Sequence, residues 1–217
     1  MNAPLPPAEK KRLKVLWQYD VLDTVPEAVF DDLTELAARI CEAPIALISL
    51  VDENRQWFKS KVGLSINETS RDLSFCAHAI RQEGLFIVPD ATRDERFAKN
   101  PLVVSDPKIR FYAGAPLITP DGHALGTLCI IDKVPRELRP DQQQALRVLA
   151  RHVMTQLELR RQSKDAAPAK PAGGNISDEL AEARAEIKSL KRQLASLKKK
   201  ISPATGKSAA RLTAKRR

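Results

Sequence analysis

The chain of 217 residues contains no apolar run long enough to cross a membrane. Its longest uncharged apolar run covers nine residues, Ala43 to Val51, whereas a membrane-spanning helix needs about 20. The first residues also lack the apolar stretch and small-residue cleavage site that mark a secretory signal. We therefore expect a soluble, cytoplasmic protein.

Cysteine and catalytic motifs are scarce as well. The three cysteines, Cys41, Cys76 and Cys129, are an odd number at wide spacing, which argues against a disulfide framework and for a reducing compartment. The sequence contains no Walker loop, no Gly-x-Ser-x-Gly elbow, no His-Glu-x-x-His and no Cys-x-x-Cys. From these absences we expect a protein that is not an enzyme, with no catalytic residues, no metal ligands and no cofactor.

Charge is distributed unevenly along the chain. Residues 176–217 hold twelve basic and four acidic side chains and so carry +8 of the total net charge of +9. The rest of the chain is therefore nearly neutral and needs no polyanionic partner. Because the basic end has no aromatic residue for base stacking, it predicts at most nonspecific contact with nucleic acid or an acidic protein. The alternative is a solubilising tail.

Composition divides the chain into four parts. Residues 1–163 have the mixed apolar and polar pattern of a packed domain. Residues 164–175 are rich in proline, alanine and glycine, which is typical of a linker. Residues 176–201 are predicted to form a coiled-coil helix, and residues 202–217 a disordered basic tail.

The coiled-coil prediction depends on a heptad repeat. Glu179 and Glu186 occupy g positions, and Arg184 and Lys191 follow at e positions, an arrangement that pairs opposite charges in a parallel dimer. We therefore expect a homodimer; the alternative is one amphipathic helix folded back on the domain. Apolar residues spaced alternately four and three apart form the seam: Ile176, Leu180, Ala183, Ile187, Leu190, Leu194, Leu197 and Ile201.

Hydrophobic patterns predict an α+β domain in residues 1–163. A capping-box spacing of Thr24 and Glu27 predicts the start of a helix that Pro44 ends, and a last helix begins near Pro140. A short helix is expected over residues 75–83 with Ser74 as its cap. Because hairpins connect the strands, the sheet is predicted to be antiparallel. The predicted strands are residues 45–52, 56–62, 85–90, 109–119 and 123–132.

Five segments, taken in order, resemble a GAF domain, a small-molecule sensing module common in bacterial signalling. The resemblance covers residues 8–162 and implies a six-stranded antiparallel sheet with helices on one face and a ligand pocket under loops on the other. It also implies dimerisation through the terminal helices. The segments are YDVLDTVPEAVFDDL (19–33), IALISLVDENRQWFKSKVGL (45–64), RDLSFCAHAI (71–80), VPDATRDERFAKNPLV (88–103) and RFYAGAPLITPDGHALGTLCIIDKVPREL (110–138).

The resemblance implies that a small ligand occupies a hollow between the sheet and its loops. Binding would shift the terminal helices, so that the protein signals to a partner protein in trans. On its strand, Gly114 shares a face with Tyr112, and we interpret it either as room for a ligand to approach the backbone or as a bulge. The candidate ligand-binding residues are Phe75, Cys76, His78, Asp90, Phe97, Arg110 and Tyr112.

Cys76 supports two further interpretations. Residues two apart on a helix point about 200° apart, which disfavours a joint metal or catalytic site with His78. Cys76 is also compatible with a thiol-dependent enzyme similar to GAF-type free methionine sulfoxide reductases. That alternative lacks an obvious second thiol, because Cys41 lies on a predicted helix and Cys129 in an apolar strand.

A structural adaptor that binds no ligand is the remaining alternative for the function of the chain.

Overall fold

The structure, a computed structural model, describes residues 6–165 and Lys188. The chain divides into two units, Met1–Ala166 and Ala167–Arg217. Apart from Lys188, the predicted coiled-coil helix (176–201) and basic tail (202–217) lie outside the described residues, as does the predicted linker beyond residue 165. None of the helices in the described part is both long and apolar enough to span a membrane.

The described residues form an α+β domain of helices packed on one sheet. A short 3-10 helix, Arg71–Leu73, precedes the third α-helix. The α-helices are α1 (Pro7–Gln18), α2 (Ala28–Cys41), α3 (Phe75–Ala79), α4 (Pro101–Val104) and α5 (Pro140–Asp165). The strands are β1 (Ile45–Val51), β2 (Arg55–Val62), β3 (Glu68–Ser70), β4 (Phe86–Val88), β5 (Phe111–Ile118) and β6 (Ala124–Asp132).

All six strands form one antiparallel sheet in the order β3-β2-β1-β6-β5-β4. This confirms the predicted fold class. The hairpins β1–β2 and β5–β6 close at the predicted turns, with Asp52 bonded to Arg55 and Thr119 to His123. The sixth strand, β3, is not predicted from the sequence pattern, because its three residues are all polar and largely exposed.

The sheet separates two hydrophobic cores. The helices α1, α2 and α5 pack on one face, where Phe30 and Leu146 are fully buried. The helix α3 and the segment 89–110, called here the cover segment, pack on the other face. Because both faces are covered, β1 is buried along its whole length and reads as a continuous apolar run.

The predicted capping box at α2 is wrong. The helix begins at Ala28, and its N-cap residue Glu27 makes no side-chain capping bond. The Glu27 carboxylate instead accepts hydrogen bonds from Lys59 Nζ at 2.6 Å and Arg160 Nε at 2.9 Å. Charge-assisted bonds are stronger than bonds between neutral groups. The Glu27 carboxylate therefore binds the buried Lys59 ammonium and does not bind the backbone N–H groups at the start of the helix.

Candidate functional site

An aromatic cluster of four residues lies between the sheet and the cover segment. Phe75 comes from the first turn of α3, Phe86 from β4, Phe97 from the cover segment and Tyr112 from β5. The Phe75 and Phe97 rings stack at 3.9 Å between centroids, and Phe75 and Tyr112 stack at 5.3 Å. Each such pair contributes about 0.5–1.5 kcal/mol beyond the area it buries, so the rings hold the cover segment on the sheet.

Phe97 is held from its solvent side by two further groups. The His78 ring contacts it edge-on at 4.9 Å between centroids. The Arg96 guanidinium lies 5.4 Å from its centroid and 4.8 Å from that of Phe86, while forming an ion pair with Asp94. These contacts place a planar cation and an imidazole at the rim of the aromatic cluster.

The Cys76 sulfur lies at the base of the same region, among hydrogen-bond donors. Thr127 Oγ1 donates to it at 3.2 Å and the Tyr112 hydroxyl at 3.4 Å. The sulfur atoms of Cys76 and Cys129 are 3.9 Å apart. Burial by itself raises the pKa of Cys76, but hydrogen bonds with Cys129, Thr127 and Tyr112 outweigh it and lower the pKa below its ordinary value.

The polar groups around Cys76 continue into a buried chain. Ser74 caps α3 as predicted, since its hydroxyl accepts from the backbone N–H of Ala77 at 3.0 Å. The same hydroxyl donates to the Gln56 side-chain oxygen, which the Ser49 hydroxyl approaches to 3.5 Å. These hydrogen bonds fix α3, and therefore Phe75 and Cys76, relative to β1 and β2.

Gly114 makes room for a protein side chain. A Cβ atom at this position would lie 2.2 Å from the Tyr112 hydroxyl oxygen. The irregular pairing of β5 lies between Leu117 and Ile118, away from Gly114. Gly114 is therefore neither a site of ligand approach to the backbone nor a bulge. Its missing side chain leaves room for the Tyr112 side chain to lie over it, with the hydroxyl directed toward Cys76.

Asp90 and Arg110 stabilise the cover segment. Asp90 Oδ1 accepts from the backbone N–H and the hydroxyl of Thr92, at 3.0 and 2.7 Å, which lowers the pKa of Asp90. Arg110 Nη1 donates to the backbone carbonyls of Val103 at 2.8 Å and Ile109 at 3.0 Å. Asp90 and Arg110 therefore stabilise the backbone of the cover segment. The other candidates proposed from sequence lie together: Phe75, Cys76, Phe97 and Tyr112 are in contact in the core, and His78 lies at the edge of this group.

Side chains fill the space in which sequence analysis placed the ligand. Phe75, Phe97 and Tyr112 are exposed by only 3%, 1% and 0%. A cleft of about 1260 Å³ opens elsewhere, beside α1 and the β5–β6 turn, and none of the seven candidates lines it. A ligand that binds on the aromatic cluster must therefore displace a ring, and Phe97 is the ring carried by a loop.

Ser49 and Thr127 were not predicted from the sequence, and Cys129 was set aside as a partner for Cys76 because it lies in an apolar strand. The β1–β6 register places Ser49 opposite Thr127, and alternation puts Cys129 on the same face of β6 as Thr127. The available signal was a single hydroxyl residue inside each of two buried apolar strands. Cys129 is also the second thiol that the reductase alternative lacked, although no spacing rule connects it with Cys76.

Comparison with known proteins identifies the domain. Residues 25–157 match the GAF domain family. This chain belongs to the GAF domain family. GAF domains are ligand-binding sensory modules of signal transduction, as the resemblance of the five segments implied.

A relative in Pseudomonas aeruginosa, named as a cyclic di-GMP phosphodiesterase, is 47% identical over 133 residues. The match covers 61% of this chain and 23% of the relative, so the chain spans less than a quarter of the relative's length. The expectation of a protein that is not an enzyme is contradicted by this relative, whose name is that of an enzyme. That expectation depended on the absence of a few catalytic motifs, and those motifs represent only some of the reactions that enzymes catalyse.

Solved structures share the fold at low sequence identity. The GAF domain of a phosphoenolpyruvate-protein phosphotransferase from Acinetobacter superposes with a TM-score of 0.52 at 17% identity, covering 76% of this chain and 99% of that domain. The free methionine-R-sulfoxide reductase from Neisseria meningitidis gives a TM-score of 0.51 at 16% identity, with coverages of 75% and 97%. These similarities establish the six-stranded fold alone.

Proposed function

We propose that this GAF domain binds a small aromatic or heteroaromatic ligand on the sheet face that carries the aromatic cluster. The observation that supports this most strongly is that Phe75 on α3 and Tyr112 on β5 present stacked rings beneath Phe97, which a loop carries. Flat ligands gain most from such surfaces. His78 and Arg96 at the rim provide hydrogen-bond donors that fix the ligand's orientation.

Ligand binding proceeds by exchange of one ring for another. The ligand takes the place of Phe97 on the Phe75 ring, and the cover segment moves outward. Asp90 and Arg110 keep the two ends of that segment folded through their backbone contacts, so the displacement is confined to the part between them. Binding favours the open arrangement only by the difference in its affinity for the two arrangements.

The proposed output is control of cyclic di-GMP hydrolysis. The 47% identity to a region of a cyclic di-GMP phosphodiesterase supports this assignment, because the same sensory domain accompanies that activity in the relative. Movement of the cover segment and α3 is transmitted through the sheet to the terminal helices, which act on a partner phosphodiesterase in trans. An assay of cyclic di-GMP hydrolysis with the full chain alone tests whether this chain is itself an enzyme.

The ligand site is tested with a matched pair of core variants. Phe97→Leu and Phe30→Leu each replace a fully buried ring by a smaller side chain, on opposite faces of the sheet. Each should lower the free energy of unfolding by about 1–2 kcal/mol. In a thermal-shift screen of nucleobases, nucleosides, indoles and flavins, a compound that stabilises the full chain should stabilise Phe97→Leu more, because the competing ring is smaller. Phe30→Leu should keep the wild-type shift. Equal shifts in both variants would contradict binding by displacement of Phe97.

The output is tested in a chimera. The matching region of the Pseudomonas aeruginosa phosphodiesterase is replaced by residues 25–157 of this chain, and cyclic di-GMP hydrolysis is followed with and without the compound found above. We expect the rate to change with the compound and the change to be larger with Phe97→Leu. The full chain, added separately to a phosphodiesterase without its own GAF region, should give the same response. A rate that ignores the compound in both formats would disprove the proposed output.

A further inference from the structure

The two buried thiols on the ligand side of the sheet have a geometry that ligand binding does not require. Cys76 of α3 and Cys129 of β6 are exposed by 2% and 0%, and their sulfur atoms are 3.9 Å apart. A disulfide bond is about 2.05 Å long, so closing one needs an approach of roughly 2 Å. A short helix resting on a sheet can supply that movement by a small shift and a rotamer change.

The surroundings of the two sulfurs differ in a chemically useful way. Cys76 accepts hydrogen bonds from Thr127 and Tyr112 and has Cys129 as a third donor, all of which stabilise a thiolate. The pKa of Cys129 is raised well above its ordinary value by its hydrogen bond with Cys76 and by burial, which outweigh the lowering effect of Thr127 and Tyr112. Cys76 therefore has the surroundings of a nucleophile, and Cys129 those of a neutral thiol that resolves it.

The third cysteine provides an internal reference. Cys41 is equally buried, but it lies on α2 on the opposite face of the sheet. Burial raises its pKa to about 11. Packing alone would make all three thiols equally inert, so any selectivity between Cys41 and the other two reports the arrangement around Cys76.

We propose that Cys76 and Cys129 form a redox-active dithiol that hydrogen peroxide converts to an intramolecular disulfide. The Cys76 thiolate attacks one peroxide oxygen, the O–O bond breaks, and the departing hydroxide takes up a proton to become water. The resulting Cys76 sulfenic acid then reacts with the Cys129 thiol, forming the S–S bond and releasing a second water. A dithiol reductant restores both thiols by exchange and is itself converted to a disulfide.

The size of the oxidant follows from the burial of the thiols. Peroxide is close to water in size, so it needs less opening of the core than the bulky oxidants that the rings of Phe75, Phe97 and Tyr112 exclude. Closure of the disulfide draws α3 toward β6 and moves Phe75, so oxidation alters the surface on which the aromatic cluster is built. This inference does not require the proposed ligand or the proposed output.

The test uses the reduced full chain and needs no variant for its main result. After graded exposure to hydrogen peroxide, free thiols are alkylated under denaturing conditions and the peptides are mapped by mass spectrometry. We expect a Cys76–Cys129 crosslink, loss of two of the three thiols, and an unmodified Cys41. Dithiothreitol should restore all three thiols. Equal oxidation of all three cysteines, crosslinks between chains, or Cys76 and Cys129 remaining free while Cys41 reacts would each overturn the proposal.

Variants assign the two roles. Cys129→Ser should stop the reaction at a Cys76 sulfenic acid that dimedone labels, and Cys76→Ser should leave Cys129 unreacted at the same peroxide dose. Cys41→Ser is the matched control and should form the disulfide at the wild-type rate. If dimedone labels Cys129 in Cys76→Ser as quickly as it labels Cys76 in Cys129→Ser, the assignment of Cys76 as the nucleophile is overturned.

Discussion

At the scale of single residues, the candidate site depends on Gly114 as much as on the side chains that make contacts. Tyr112 is fully buried, and its hydroxyl reaches Cys76 and Thr127 only because the next residue on the same face of β5 has no Cβ. A buried hydroxyl without partners is costly, so the hydrogen bonds of Tyr112 and the absent side chain at position 114 form one structural unit.

Gly114→Ala should destabilise the domain by about 1–3 kcal/mol, because the added methyl group overlaps the Tyr112 ring and hydroxyl. Urea unfolding at neutral pH measures the change in the free energy of unfolding. Gly84→Ala is the matched control, since no atom lies within 4 Å of the Cβ it adds, and its stability should stay within about 0.5 kcal/mol of wild type. Equal stability of the two variants would show that Tyr112 moves aside without loss.

At the scale of elements, a chain of charges connects β2, the start of α2 and the last helix. The Lys59 side chain is completely buried, and its ammonium donates to Glu27 Oε1, to Thr24 Oγ1 at 3.0 Å and to the Val25 carbonyl at 2.8 Å. Glu27 also binds Arg160 of α5. The network holds α5 against the domain on the face opposite the aromatic cluster and links it directly to β2.

The stability that Glu27 provides should depend on pH in a defined direction. Burial raises the pKa of Glu27, but hydrogen bonds from Lys59 and Arg160 bring it below the ordinary value of 4.5. A carboxyl group whose pKa is lower in the folded state stabilises the protein fully above its unfolded pKa, and this contribution is lost as the pH falls through the folded pKa. Glu27→Gln should therefore be less stable than wild type at pH 7, with a gap in the free energy of unfolding that narrows as the pH falls below the ordinary glutamate pKa of 4.5.

Urea unfolding of wild type and Glu27→Gln across that pH range measures the gap. Glu95→Gln, which changes an exposed carboxyl group of the cover segment, controls for the loss of one negative charge. A Glu27→Gln gap that stays constant, or widens, as the solution becomes acidic would show that the carboxylate is not stabilised by its ion pairs.

At the scale of the whole molecule, the heptad repeat of residues 176–201 remains a sequence prediction. Its charges are arranged for a parallel pair of chains, and a dimer of sensory domains would place two terminal helices side by side. Such a pairing would convert a small shift in each domain into a relative movement that a partner can detect. The oligomeric state of the full chain tests it directly.

Light scattering on the full chain should give the mass of a dimer. The double substitution Ile187→Asp and Leu194→Asp should reduce it to a monomer, because each change places a charge in the predicted apolar seam. Ser189→Asp with Ser196→Asp adds the same charge at predicted outward positions and should leave the dimer intact. A monomeric wild type, or a dimer that survives the seam substitutions, would refute the coiled coil.

The local pattern of residues is sufficient to predict the type and order of most elements, since alternation and helical spacing depend only on neighbouring residues. It therefore predicted the two hairpins, the antiparallel sheet and the cap at Ser74. The resemblance of ordered segments, and not spacing, grouped Phe75, Phe97 and Tyr112, whose rings stack in the structure, and their role in ligand binding stays a prediction. The capping box failed because Lys59, from a distant strand, competes for Glu27.

Which side chains fill the space above the sheet depends on tertiary packing. Cys76 and Cys129 are 53 positions apart, and they meet because the strand order sets β6 beside β1 directly beneath α3. The space expected to hold a ligand is filled by stacked aromatic rings, as the close packing of protein interiors requires. The Tyr112 side chain occupies the space left by the missing Cβ of Gly114. Local patterns cannot contain such information, because contacts across a sheet depend on the order in which its strands associate.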